Sequence, residues 1–177
     1  MAKTKLNLHA YQESILERIS DLKRKKSTGA TSRLGVKSGD NYYLAHLEDV
    51  SEVVAVPDLK KIPLTQDWAL GLSNVRGNLY MVSDLAGFSG QFVASISSES
   101  RVLLVNSFYE TNAALLIDKL VGLRDVEAMI AVKSDAQKKN QFEWVGKSFK
   151  DVTGIVWQEL NIGLLLKDNA FAHVALK

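Results

Sequence analysis

Cysteine is absent from the 177 residues. That excludes a disulfide scaffold, thiol catalysis and thiolate metal sites, and suits a reducing compartment. Histidine is scarce: His9, His46 and His173 stand far apart, without the i, i+4 spacing of a metal pair. His46 reads as a partly buried histidine at a strand end. GxGxxG, GxxxxGKS/T and GxSxG do not occur, which removes the usual cradles for dinucleotides and phosphates and the hydrolase nucleophile elbow. No stretch approaches the roughly 18 apolar residues of a spanning helix, and Met1 to Ala10 lacks the apolar centre of a signal peptide. The expectation is a soluble cytoplasmic protein. Charge is nearly balanced, 22 basic against 20 acidic residues for +2, so neither nucleic acid nor a membrane surface is favoured as partner. No period suggests a solenoid.

What is present is 46% apolar and 24% charged sequence, enough for one packed domain or two small subdomains sharing a core. Leu8, Tyr11, Ile15, Ile19 and Leu22 lie three or four apart and predict an amphipathic helix, with Asn7 placed to cap it. The stripe either docks on the chain's own barrel or waits for a partner helix. Lys23 to Lys26 then read as a solvated helix terminus or a contact for an acidic partner or anionic membrane, and Gly29 as the stop.

After a polar hinge at Ser27 to Ser32 the pattern becomes short extended runs. Arg33 to Val36 and Tyr42 to Leu44 flank Ser38-Gly39-Asp40 as a hairpin; Val50 to Val56 predicts a strand ending at Pro57. Lys60 to Gln66 reads as loop, Leu85 to Phe92 as brief helix or loop, and the serine-rich Ala94 to Ser100 as a subdomain boundary. Arg101 to Asn106 and Asn112 to Ile117 are nearly continuous aliphatics, so both predict strands with buried faces. Leu120 to Met129 continues the barrel, Lys133 to Asn140 is a surface loop, and Ala170 to Leu176 alternates like an added strand.

The stretch that organises the rest is Trp68 to Leu85, WALGLSNVRGNLYMVSDL, two apolar runs around a tight turn. Gly77-Asn78 is the pair suited to the positive φ of a short hairpin loop. Arg76 beside it is either a solvated turn arginine or a planar, rigidly held donor for a carboxylate or a row of carbonyls. Trp68, Trp144 and Trp157 could stack bases on a small barrel, but the cations cluster away from every tryptophan, which favours core positions. Glu52, Asp84 and Asp118 each end or punctuate a strand. A hydrolase would need a polar pocket with strongly shifted carboxylates.

Trp68, Gly71, Asn74, Arg76, Gly77, Asp84 and Leu85 together resemble the signature of the CheW-like domain, the coupling module of bacterial chemosensory arrays. Tyr43, Val50, Glu52, Val53 and Ile62-Pro63 resemble its upstream segments, and Arg101 to Val105, Leu116 to Asp118 and Val121 to Val126 its later strands. The resemblance spans about residues 32 to 166. It implies a mainly β fold of two small five-stranded β-barrel subdomains around a shared core, residues 31–177, after an N-terminal helical extension, residues 1–30. It implies no catalysis, no cofactor and no metal. The partners would be the regulatory domain of a chemosensory histidine kinase and the helical tip of a methyl-accepting receptor, with the membrane reached only through that receptor array. Glu52 would pair with Arg76; Val50, Asn74 and Gly77 would join them on the partner-binding side, with Val105 and Ile117 as apolar contributors to the groove.

Three features depart from that pattern. Val75 stands where leucine is commoner, and Met81 where many members carry proline, which returns an amide donor and puts the usual edge-strand geometry in question. The terminal additions are unlike the minimal flagellar adaptor and resemble a twitching-motility member tied to type IV pili. A flagellar coupling protein and a small-barrel nucleic-acid binder are the alternatives.

Overall fold

A computed structural model describes residues 31–91, 95–132 and 142–176. The expected N-terminal helix and the loop at Lys133 to Asn140 lie outside the described residues.

Among the described residues, eleven strands form two sheets. The first holds β1 (Ser32–Ser38), β2 (Asn41–His46), β8 (Lys119–Asp125), β9 (Ile130–Val132), β10 (Val145–Lys150) and β11 (Val156–Leu160), in the order β8-β1-β2-β11-β10-β9. The second holds β3 (Val50–Ala55), β4 (Ala69–Val75), β5 (Asn78–Asp84), β6 (Arg101–Val105) and β7 (Ala113–Ile117), in the order β3-β6-β7-β5-β4. Short helices α1 (Leu85–Phe88), α2 (Ile162–Lys167) and α3 (Asn169–Ala172) complete the described chain. The first sheet has six strands where five are expected, because Ile130 to Val132 pair separately with β10.

Both sheets must curl. In the first, β8 and β9 are opposite edges, which a flat sheet would hold ~24 Å apart, yet the link from Asp125 to Ile130 reaches at most ~17 Å. In the second, Lys60 follows edge strand β3 by five residues and already bridges Leu72 on the opposite edge strand β4. Only barrel-like closure satisfies either link.

The chain enters the second sheet through the single helical turn Leu47–Asp49 and leaves it at Asp118. The serine-rich connector before β6 is therefore no subdomain boundary. It joins α1 to a strand of the same sheet, since β6 pairs with β3 and β7.

Alternation explains the aliphatic runs of β6 and β7. Val102, Leu104, Ala114 and Leu116 pack with Val82 in one cluster, while Leu103, Val105, Leu115 and Ile117 face the larger one. That larger cluster also takes Leu34, Val36 and Tyr43 from the first sheet, with Leu85, Trp144 and Ile162. Successive residues point to opposite faces, so a strand with a core on each side must be apolar throughout.

Trp144 and Trp157 are fully buried, which leaves no stacking surface on either. Trp68 is half-buried and stacks on Phe171 of α3, with ring centroids 5.5 Å apart. The tail is not a strand: after α3, Gln66 donates to the Val174 carbonyl and Leu176 to that of Leu64, around one isolated bridge between Thr65 and Ala175.

Candidate functional site

The β4–β5 register pairs Val75 with Asn78, so the loop is the two residues Arg76 and Gly77, one position earlier than expected. Their φ angles are +52° and +88°, as two-residue loops matching strand twist require. Glycine meets that demand without strain, whereas Arg76 holds a left-handed conformation uncommon for its type. Asn74 supports the turn, its Oδ1 accepting the Gly77 N–H at 2.9 Å.

Glu52 approaches from β3. Val50 pairs with Val105 but Glu52 with Leu104, so Ser51 is an extra residue, and its hydroxyl donates to the Leu104 carbonyl at 3.2 Å. This bulge sends Val50 and Glu52 to opposite faces, although they sit two apart in sequence. Val50 packs half-buried against the larger core, and Glu52 is left to meet Arg76, whose Nη2 lies 2.7 Å from its Oε1. The arginine side chain stays 74% exposed and the glutamate 33%. A pair this wet contributes little to stability, about 1 kcal/mol at most. Its effect is orientation, holding one fork of a guanidinium whose other donors remain in solvent. Beside the turn Leu79, paired with Asn74, is 51% exposed, an apolar surface that the sequence hides within a strand-like run.

Val105 and Ile117 are not at a groove. Both are core residues with almost no exposed surface, because each falls on the face its strand turns toward the other sheet. Arg76, Glu52, Asn74 and Gly77 come together; Val50 lies behind them.

Met81 departs from the family pattern without disturbing the ladder. β5 is an interior strand between β7 and β4, and the Met81 amide donates to the Asn112 carbonyl at 2.9 Å.

The other carboxylates are structural. Buried Asp84 ends β5 and caps α1, accepting from Ala86 N–H at 3.0 Å. Asp118 takes the Gly39 amide at 2.8 Å, tying the first hairpin to the exit from the second sheet. Asp49 is buried and accepts the Tyr109 hydroxyl at 2.7 Å, a bolt between the Leu47–Asp49 turn and the Ser107–Tyr109 turn joining β6 to β7 that no spacing in the sequence announces. His46 ends β2, 3.8 Å from Glu159. Among the described residues no three His, Asp or Glu side chains are grouped to hold a metal, and no helix is long and apolar enough to cross a membrane.

Residues 33–169, which include both sheets and the Arg76 turn, match the CheW-like domain. The chain belongs to the CheW-like domain family. Protein PilI of Pseudomonas aeruginosa is 31% identical over 93 residues, covering 52% of this chain and 52% of that protein, so the match spans about half the length of that relative. The scaffolding protein TtCheW from Thermoanaerobacter tengcongensis shares the fold, with a TM-score of 0.65 at 20% identity over 78% of this chain and 89% of that one. In this CheW-like chain the signature hairpin is thus a rigid, two-residue turn that carries an exposed cation.

Proposed function

We propose that this CheW-like chain is a non-catalytic adaptor that couples a methyl-accepting chemoreceptor to a chemosensory histidine kinase in a system controlling type IV pili. One observation carries the docking surface: Arg76 stands 74% exposed on a turn fixed by its own backbone, by Asn74 and by Glu52. A donor so restrained loses little freedom when a partner carboxylate or carbonyl meets it. The likeness to PilI supports the pilus assignment.

Mechanistically the adaptor acts by position. Contacts that differ between receptor signalling states shift the equilibrium of the attached kinase, and no chemistry at the adaptor is required. Each contact can be weak, because an array links many of them. The test is Arg76→Glu. The variant keeps its circular dichroism spectrum and loses capture of the receptor tip or of the kinase regulatory domain; capture at the wild-type level rejects the site. Deleting the gene abolishes twitching and spares swimming, whereas lost swimming assigns the chain to flagellar chemotaxis.

A further inference from the structure

Residues 1–30 join the fold at a seam between the two sheets. Arg33 on β1 is the register partner of His46 on β2 and of Arg124 on β8, so the segment enters between the Leu47–Asp49 turn, which follows β2, and the end of β8. That turn is tied to the Ser107–Tyr109 turn. The Asn106 amide donates to the Asp49 carbonyl at 2.9 Å, the Asn106 side chain to the Glu48 carbonyl at 3.0 Å, and the Tyr109 hydroxyl to the Asp49 carboxylate. Helix α2 reaches the same place. Strands β2 and β11 run parallel with Ala45 opposite Leu160, so the turn and the helix that follow them emerge together, and a Cβ at Gly163 would fall 3.2 Å from the Tyr109 ring.

Large apolar side chains are left in solvent here. Phe108 and Leu123 are more than half exposed, and Leu47 and Leu164 more than a third. Leu123 opposes buried Leu34 on the face turned toward the other sheet, so it continues the larger core outward to its lip. Single exposed residues of this kind need no explanation, but four on the adjoining pieces of one seam form a patch that soluble proteins usually cover. Acidic Glu48, Glu110, Asp125 and Glu127 stand exposed on the same pieces.

We propose that the apolar stripe Leu8, Tyr11, Ile15, Ile19 and Leu22 of this same chain docks across that seam as a helix. The tether selects this occupant. Residues 23–31 span at most ~30 Å, so Leu22 stays near the start of β1, and a tethered segment meets the patch at an effective concentration that a free partner rarely attains. Charge agrees with it. Residues 1–30 hold seven basic and three acidic residues, +4, which leaves 15 basic and 17 acidic, −2, for residues 31–177. The basic run Lys23 to Lys26 joins the stripe to β1 and so arrives beside Glu48 and Asp125. A helix of the 15 residues from Leu8 to Leu22 is marginal alone, and packing on the seam supplies the stability it lacks.

The experiment uses the full chain, whose lack of cysteine allows one to be placed at a chosen site. Ser20→Cys, on the helix face away from the stripe, carries a nitroxide, and paramagnetic broadening is read on the backbone amides of isotope-labelled protein. The amides of Leu47, Phe108, Leu123 and Leu164 lose the most intensity. Adding Ile15→Asp and Ile19→Asp restores it, and Phe108→Ser, a surface change, restores part of it. Arg76→Glu leaves the broadening as it was, so this contact and the coupling hairpin fail or succeed separately. Spin-labelled chain mixed with isotope-labelled chain that lacks the nitroxide gives no broadening at these amides; broadening there means that a second copy fills the seam and overturns the proposal. Full intensity in the spin-labelled chain, or the same loss after Ile15→Asp and Ile19→Asp, overturns it too.

Discussion

Arg76 and Glu52 belong to opposite ends of the five-stranded order, the turn leaving edge strand β4 and edge strand β3, yet their charged atoms meet at 2.7 Å. The contact exists only because the sheet closes on itself, so the docking tip and barrel closure are one structural event. Reversing both charges separates bracing from recognition. Arg76→Glu with Glu52→Arg keeps the melting temperature within the range of a surface pair, a change below about 1 kcal/mol. Capture of the receptor tip stays lost, since a carboxylate now faces the partner. Recovered capture in the double variant means that the pair is only a brace.

Ile117 is fully buried in the larger core. Ile117→Ala costs about 2–5 kcal/mol in denaturant unfolding through lost burial and the cavity left behind. The protein that remains folded binds the receptor tip as before. Wild-type stability with weakened binding would return Ile117 to the interface.

Tyr109→Phe leaves buried Asp49 without its hydroxyl donor and lowers stability by about 1–3 kcal/mol. Burial, and then the Asp49 and Glu48 carboxylates, push the Tyr109 phenol up to about 12 from its ordinary 10.0. The folded state therefore holds this proton more tightly than the unfolded one. Its stabilisation is complete below pH 10 and is lost as pH rises toward 12. Alkaline unfolding curves of the two proteins converge over that interval; a constant gap between them refutes the assignment.

Hydrogen bonds from the Thr153 hydroxyl and then the Trp157 indole hold Asp151 down to about 2 from its ordinary 3.8. A depressed carboxylate stabilises the fold above the unfolded value and loses that effect as pH falls. The window here runs from 3.8 down to about 2. The indole N–H resonance of Trp157 shifts across it in wild type, and Asp151→Asn removes the shift. An indole resonance unchanged to the bottom of that window contradicts the bond.

The hairpin was legible because its signals are local. Alternating apolar residues mark the strands, and a glycine beside a polar run marks the turn, although the register moved the loop to Arg76-Gly77. The continuous aliphatics of β6 and β7 likewise announced two buried faces. The tail misled because a seven-residue alternation does not reveal whether a neighbour has room for a ladder; Asp168 instead caps α3 by accepting the Ala170 amide at 2.8 Å. Val105 and Ile117 misled because apolar residues in a strand look the same whether they face a groove or a core.

By itself the sequence determined the β class, the family signature and the presence of a tight turn beside Arg76, since periodicity, turn chemistry and motif spacing are written along the chain. The resemblance already paired Glu52 with Arg76, but tertiary structure alone decided that they meet from opposite edges of one closed sheet, that Ser51 turns Val50 away from Glu52, and that Arg124 stands opposite Arg33. Those relationships depend on bulges, register and barrel closure, which are settled by packing between segments tens of residues apart.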